Sequence, residues 1–191
     1  MPTRTKEIKQ VKRILGIDPG TNAMGYAIID AKGDDIKLIT IGVLNIPSGY
    51  SQALKLKKIY HQVAELITQY GPDDMAIEAP FFGKNVQSML KLGRAQGVAI
   101  VAAVNKAINV TEYSPKSIKQ SVTGNGNASK VQVAGVLSHI LKRAVPTNSE
   151  DATDALGAAV CHHFKGNNRG GGKSYSGWKD FAKQNTKRTK E

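Results

Sequence analysis

Residues 13–30 read RILGIDPGTNAMGYAIID. The compact apolar run from Arg13 to Asp18 suits a buried strand, Pro19-Gly20 breaks it, and Tyr26 to Asp30 resumes a strand-like pattern. Lys37 to Val43 supplies a third such run, so the chain opens as a three-stranded antiparallel meander. Beyond it the period changes. Leu56, Ile59, Val63, Leu66, Ile67 and Tyr70 recur at helical spacing over 53–70, and Gly71-Pro72 stops the helix. Met75 to Ala79 (MAIEA) is a short buried strand closed by Pro80. A long helix over 86–106 is apolar almost all round between Val98 and Val104, as in a core or an oligomer interface. Val110 to Tyr113 is a fifth strand, and Ser114-Pro115 is a good N-cap and N1 pair for a short helix. Gly124-Asn125-Gly126 forms a loop, and helices follow over 129–141 and from near Ser149 to about Phe164. This order predicts an α/β fold in which a mixed five-stranded sheet carries helices on both faces.

At 191 residues the chain has room for one ordinary domain, assigned to 13–164, with a polar, basic lead (1–12) and a Gly- and Lys-rich tail (165–191) expected to be disordered. It carries 27 Lys and Arg against 15 Asp and Glu, a formal charge of +12, which suits a polyanionic partner. The tail holds half of that excess, so the core is only moderately basic and composition alone does not establish DNA binding. A single cysteine, Cys161, excludes an intramolecular disulfide. The absence of a long apolar run or a signal-peptide core points to a soluble, cytoplasmic protein that makes no use of a membrane.

Four acids stand out. Asp18 ends one strand just before a turn, and Glu78 lies near the end of another; strand ends in open α/β sheets are where ligand sites gather. Asp151 and Asp154 are three apart in the first turns of the last helix, hence on one face. Phosphodiester hydrolysis has need of such a set, because two divalent ions about 3.5–4 Å apart can activate a water and stabilise the leaving oxygen together. Hard Mg²⁺ prefers oxygen ligands. Taken singly, each acid has a plainer reading: Asp18 as a turn former, Asp151 and Asp154 as acids at a helix start. Glu78, a charge in a short apolar strand, is the least easily dismissed.

At these residues the chain resembles the RuvC family of Holliday-junction resolvases, nucleases with an RNase H-like fold. The resemblance rests on 15–30 (LGIDPGTNAMGYAIID), 76–85 (AIEAPFFGKN), 90–104 (LKLGRAQGVAIVAAV), 113–133 (YSPKSIKQSVTGNGNASKVQV) and 151–159 (DATDALGAA). It implies a Mg²⁺-dependent endodeoxyribonuclease with two ions per active site, Mn²⁺ being a plausible substitute. It implies a homodimer that binds a four-way DNA junction and nicks two opposing strands, leaving 5′-phosphate and 3′-hydroxyl ends, and that works beside a branch-migration complex of the RuvA–RuvB type. The family's metal-binding, catalytic carboxylates fall on Asp18, Glu78, Asp151 and Asp154. Its DNA-contacting residues fall on Phe81, the aromatic near the junction centre, on Lys119 and Lys130 near the active site, and on Lys84 after the aromatic loop. Phe82 is a second aromatic there, with a core anchor as an equal reading. Stacking an exposed ring on an unpaired base is worth about 1–3 kcal/mol.

Three rival functions share parts of this pattern. A kinase-like ATP-using enzyme would need a second phosphate loop and a second domain. A resolvase-like nuclease acting in ribosomal RNA processing would share the acidic centre but not the 81–84 and 124–130 segments. A junction-binding protein without activity would not need all four acids. Cys161-His162-His163 resembles a soft-metal cluster, but neighbours on a helix point in different directions. His61 and His139 read as surface or boundary residues.

Overall fold

The computed structural model describes residues 10–80, 85–145 and 149–168. Ten elements follow in order: β1 (Lys12–Asp18), β2 (Ala23–Lys32), β3 (Asp35–Asn45), α1 (Gln52–Tyr70), β4 (Asp74–Glu78), α2 (Val86–Val104), β5 (Asn109–Tyr113), α3 (Pro115–Thr123), α4 (Lys130–Ile140) and α5 (Glu150–Asn168). The expected meander is present, with β1–β2 and β2–β3 antiparallel, while β1–β4 and β4–β5 pair in parallel. The mixed sheet runs β3-β2-β1-β4-β5.

Local chemistry explains where the elements start and stop. Ser51, Asn85, Ser114 and Ser129 cap α1 to α4 with side-chain oxygens, and Gln132 completes a capping box with Ser129. Gly71 and Gly124 end α1 and α3 in the left-handed region, where a side chain would be strained. Arg13 forks onto Asp30, with Nε at 2.6 Å and Nη2 at 2.8 Å from the two carboxylate oxygens. That fork fixes the β1–β2 pair and holds Asp30 below the usual carboxylate range.

Side chains alternate across the strands and so divide the core in two. Leu15, Ile17, Met24, Ile28, Met75 and Ile77 pack on the α1–α2 layer through Ile59, Val63, Ala95 and Ala99. Ile14, Ala27, Ile29 and Ala76 pack on the opposite layer through Ile118, Leu137, Leu156 and Ala159. Helices therefore cover both faces. The last helix continues to Asn168 rather than stopping near Phe164, so Lys165, expected in the tail, belongs to the folded unit. Its ammonium donates to Ser117 Oγ and lies 5.0 Å from the centre of the Tyr113 ring.

α5 lies unusually close to the sheet. A Cβ on Gly16 would stand 2.0 Å from the Ala155 carbonyl oxygen, and one on Gly25 would stand 1.9 Å from that of Asp151. Real side chains cannot approach backbone so closely, and the shortfall cannot be relieved without lifting the helix. We therefore expect Gly25→Ala to cost about 3 kcal/mol of stability in urea unfolding, at the upper end of overpacking. A loss within experimental error would show that the helix has room to move.

Candidate active site

In the parallel β1–β4 register Ile14 faces Asp74 and Ile17 faces Ile77. Asp18 and Glu78 each follow that last pair, so they stand side by side at the ends of two adjoining strands. By parity with Gly16 and Ala76 they project toward the α5 layer. There α5 presents Asp151 and Asp154, carried to the strand ends by its contacts with Gly16 and Gly25. Neither aspartate caps the helix; the Ala152 N–H donates to Ser149 Oγ at 3.4 Å. All four acids are half-buried.

Their electrostatics show how close they are. Burial, then repulsion from Glu78, Asp154 and Asp151, pushes Asp18 up to about 8, with Lys130 pulling the other way. Burial and Asp154 push Glu78 up to about 7 against Lys130 and Lys119. Asp154 is also raised, by burial first, against the opposing pull of Lys130. The convergence is electrostatic reach rather than contact. Among the described residues, no three His, Cys, Asp or Glu side chains are arranged to hold a metal ion as they stand.

The Lys130 ammonium meets Glu150 at 2.7 Å and Asp154 at 3.3 Å. Two expected site residues, Lys119 and Lys130, are thus beside the acids, on α3 and at the start of α4. Phe81, Phe82 and Lys84 lie outside the described residues. Glu150 was missed in the sequence, although it directly precedes Asp151 and shares its helical turn. The close-approach glycines were missed too, and a glycine inside an otherwise apolar strand is the signal that could have revealed them.

The remaining suspects have structural work. His162 is hydrogen-bonded through Nδ1 to the Tyr113 hydroxyl and through Nε2 to Asp74, both at 3.0 Å. His163 Nε2 meets the Gly33 carbonyl at 2.7 Å, and Cys161 is buried beside Ser117. The three side chains point to different partners, as neighbours on a helix must. No helix among the described residues is long and apolar enough to cross a membrane.

The family model for "Crossover junction endodeoxyribonuclease RuvC" matches residues 14–162. A RuvC of Cytophaga hutchinsonii is 57% identical over 178 residues, covering 93% of this chain and 88% of the relative. One of Christiangramia forsetii is 50% identical over 181 residues, covering 95% and 94%. The structure of T. thermophilus RuvC in complex with Holliday junction substrate matches with a TM-score of 0.77 at 28% identity, covering 81% of this chain and 94% of that one. The RNase H-like sheet-and-helix arrangement expected from sequence is the one found. The chain belongs to the RuvC family of crossover junction endodeoxyribonucleases.

Proposed function

We propose that this protein resolves four-way DNA junctions by paired, symmetric, Mg²⁺-dependent nicks, with Asp18, Glu78, Asp151 and Asp154 as the catalytic carboxylates. The observation that carries this reading is the meeting of four acids from β1, β4 and α5 at one end of the sheet, with Asp18 and Glu78 raised by burial and mutual repulsion. The donor set fits the metal: all four groups offer hard oxygen, and their repulsion, only partly offset by Lys130 and Lys119, is what divalent cations would neutralise. Two Mg²⁺ ions held there would activate the attacking water and offset charge on the scissile phosphate and the leaving oxygen.

The residues do the rest. Asp18 and Glu78, fixed on adjoining strands, define one wall of the centre, and Asp151 and Asp154 on α5 define the other. Water attacks phosphorus, the bond to the 3′ oxygen breaks, and the products are a 5′-phosphate and a 3′-hydroxyl. Lys130 and Lys119, at the rim, would meet non-bridging phosphate oxygens. Phe81, Phe82 and Lys84 complete the DNA-contacting set, Phe81 stacking near the junction centre. The family membership favours this substrate over ribosomal RNA precursors. The same proposal includes a cytoplasmic setting and a branch-migration complex as partner.

Paired nicking needs two active sites, and α2 offers a dimer face. Val86, Leu90, Val101 and Val104 are all more than half exposed. Gly93 and Gly97 lie between them at helical spacing, with open space where a Cβ would be. An apolar stripe with small residues at its middle fits close approach of a second copy's helix.

Asp18→Asn should abolish nicking of a synthetic junction while leaving gel-shift affinity within about threefold, because binding rests on phosphate contacts rather than on this acid. Parallel loss of both would refute the separation. Leu90→Asp combined with Val101→Asp should sediment as a monomer at micromolar concentration and lose concerted nicking; an intact dimer would move the interface elsewhere.

The raised carboxylates also set a pH dependence. The folded metal-free protein keeps protons that the unfolded chain releases near pH 4, so its stability falls as pH rises from there to about 8, the value for Asp18. Melting in chelator should therefore be lower at pH 8.5 than at pH 6. Mg²⁺ should raise it more at the higher pH, and Asp18→Asn should flatten the chelator profile. A chelated melting temperature that climbs with pH would contradict the assignment.

A further inference from the structure

Beside the acidic centre lies a groove of about 450 Å³ that none of the catalytic steps above uses. It is built by the turn after β1, the first turns of α1 and the N-terminal half of α2, and Asp151 stands at its edge. Its walls mix polar and apolar side chains. Thr21, Asn22, Gln52, Lys55, Ser88 and Lys91 contribute two hydroxyls, two amides and two ammonium groups. Lys55 is held by Asn22 Oδ1 at 2.9 Å, and among the described residues neither it nor Lys91 is ion-paired.

Two further features point to an anionic occupant. The Gln52 amide nitrogen, on a residue that lines the groove, is buried without a hydrogen-bond partner. Gln52 also opens α1, so the groove receives the positive end of a 19-residue helix. The turn itself is tightly packed. A Cβ on Gly20 would lie 1.9 Å from the Ala23 carbonyl oxygen, and the Ile46 N–H ties Asn22 to the end of β3 at 2.9 Å.

We infer that this groove is a second phosphate subsite, which seats a phosphodiester of the cut strand neighbouring the scissile one. The inference rests on the junction-cleaving reading. Ammonium groups at Lys55 and Lys91 meet the non-bridging oxygens, and the hydroxyls and amides fix the backbone's direction. The apolar side chains of Ala23 and Leu92 in the same groove suit the sugar. The subsite therefore sets which phosphate is delivered to the acids, rather than performing the chemistry.

The test is a methylphosphonate scan of a synthetic four-way junction, neutralising one phosphate at a time around the cut. Wild-type protein should lose about tenfold in affinity at one or two positions next to the cut, the worth of one charge-assisted hydrogen bond. Lys55→Gln with Lys91→Gln should show a similar loss on the unmodified junction and less than about twofold further loss at those positions, while remote positions stay additive. Its salt dependence should be shallower by about one to two log–log units. Lys55→Arg with Lys91→Arg, which keeps both charges, should restore binding. Additive losses at every position, or a glutamine pair that binds and nicks as the wild type does, would overturn the subsite while leaving junction cleavage intact. A wild-type protein that nicks no junction in Mg²⁺ would overturn the functional reading and this inference together.

Discussion

The approach of α5 to the sheet is the constraint on which the active centre depends. Backbone carbonyls of Asp151 and Ala155 rest where Gly25 and Gly16 lack side chains. Any larger residue there would hold the helix at ordinary helix–sheet distance and carry Asp151 and Asp154 away from Asp18 and Glu78. The register of β1 against β4 sets the other two acids. The acidic set is therefore fixed by main-chain packing, which deforms little, rather than by loops. Carboxylates that repel one another gain no stability by meeting, and only a rigid scaffold keeps them there.

That scaffold is held at its far end as well. Asp74, at the opposite end of β4 from Glu78, accepts from Lys12 and is hydrogen-bonded to His162 of α5, whose other ring nitrogen meets Tyr113 of β5. Burial alone would raise Asp74, but these partners outweigh it and hold it below the usual carboxylate range. Tyr113 stands in register with Glu78, so this chain of contacts ties two parallel strands to the helix from the far end of β4 toward the acids. An axial slip of α5 against β4 would have to break the His162 contacts and the glycine contacts together.

Most of this was legible in the sequence because the relevant signals are local. The alternation in Tyr26 to Asp30, the helical period from Leu56 to Tyr70 and the Ser114-Pro115 cap each specify an element within a few residues, and their bounds shifted by only a few positions in the structure. The four acids were legible as strand-end and helix-start residues. What stayed hidden depends on pairs far apart in the chain. Nothing around Gly25 says that Asp151 will lie on it, and nothing in the sequence ties Lys130 to Glu150 or Asp74 to His162. The helical course of Lys165 was hidden differently: a glycine and two asparagines follow it, and weak helix formers read as tail unless packing carries the helix through them.

The charge distribution fits this arrangement better than the net charge does. The core's positive charge is modest, yet near the acids it is concentrated where a phosphate backbone would run: Lys119 and Lys130 on one side, Lys55 and Lys91 in the groove on the other. A uniformly basic surface would attract duplex DNA in many registers. On the proposed reading, ammonium groups divided between two flanks of an acidic centre instead favour a backbone that passes through it. On that reading, affinity and catalysis fall to different residues.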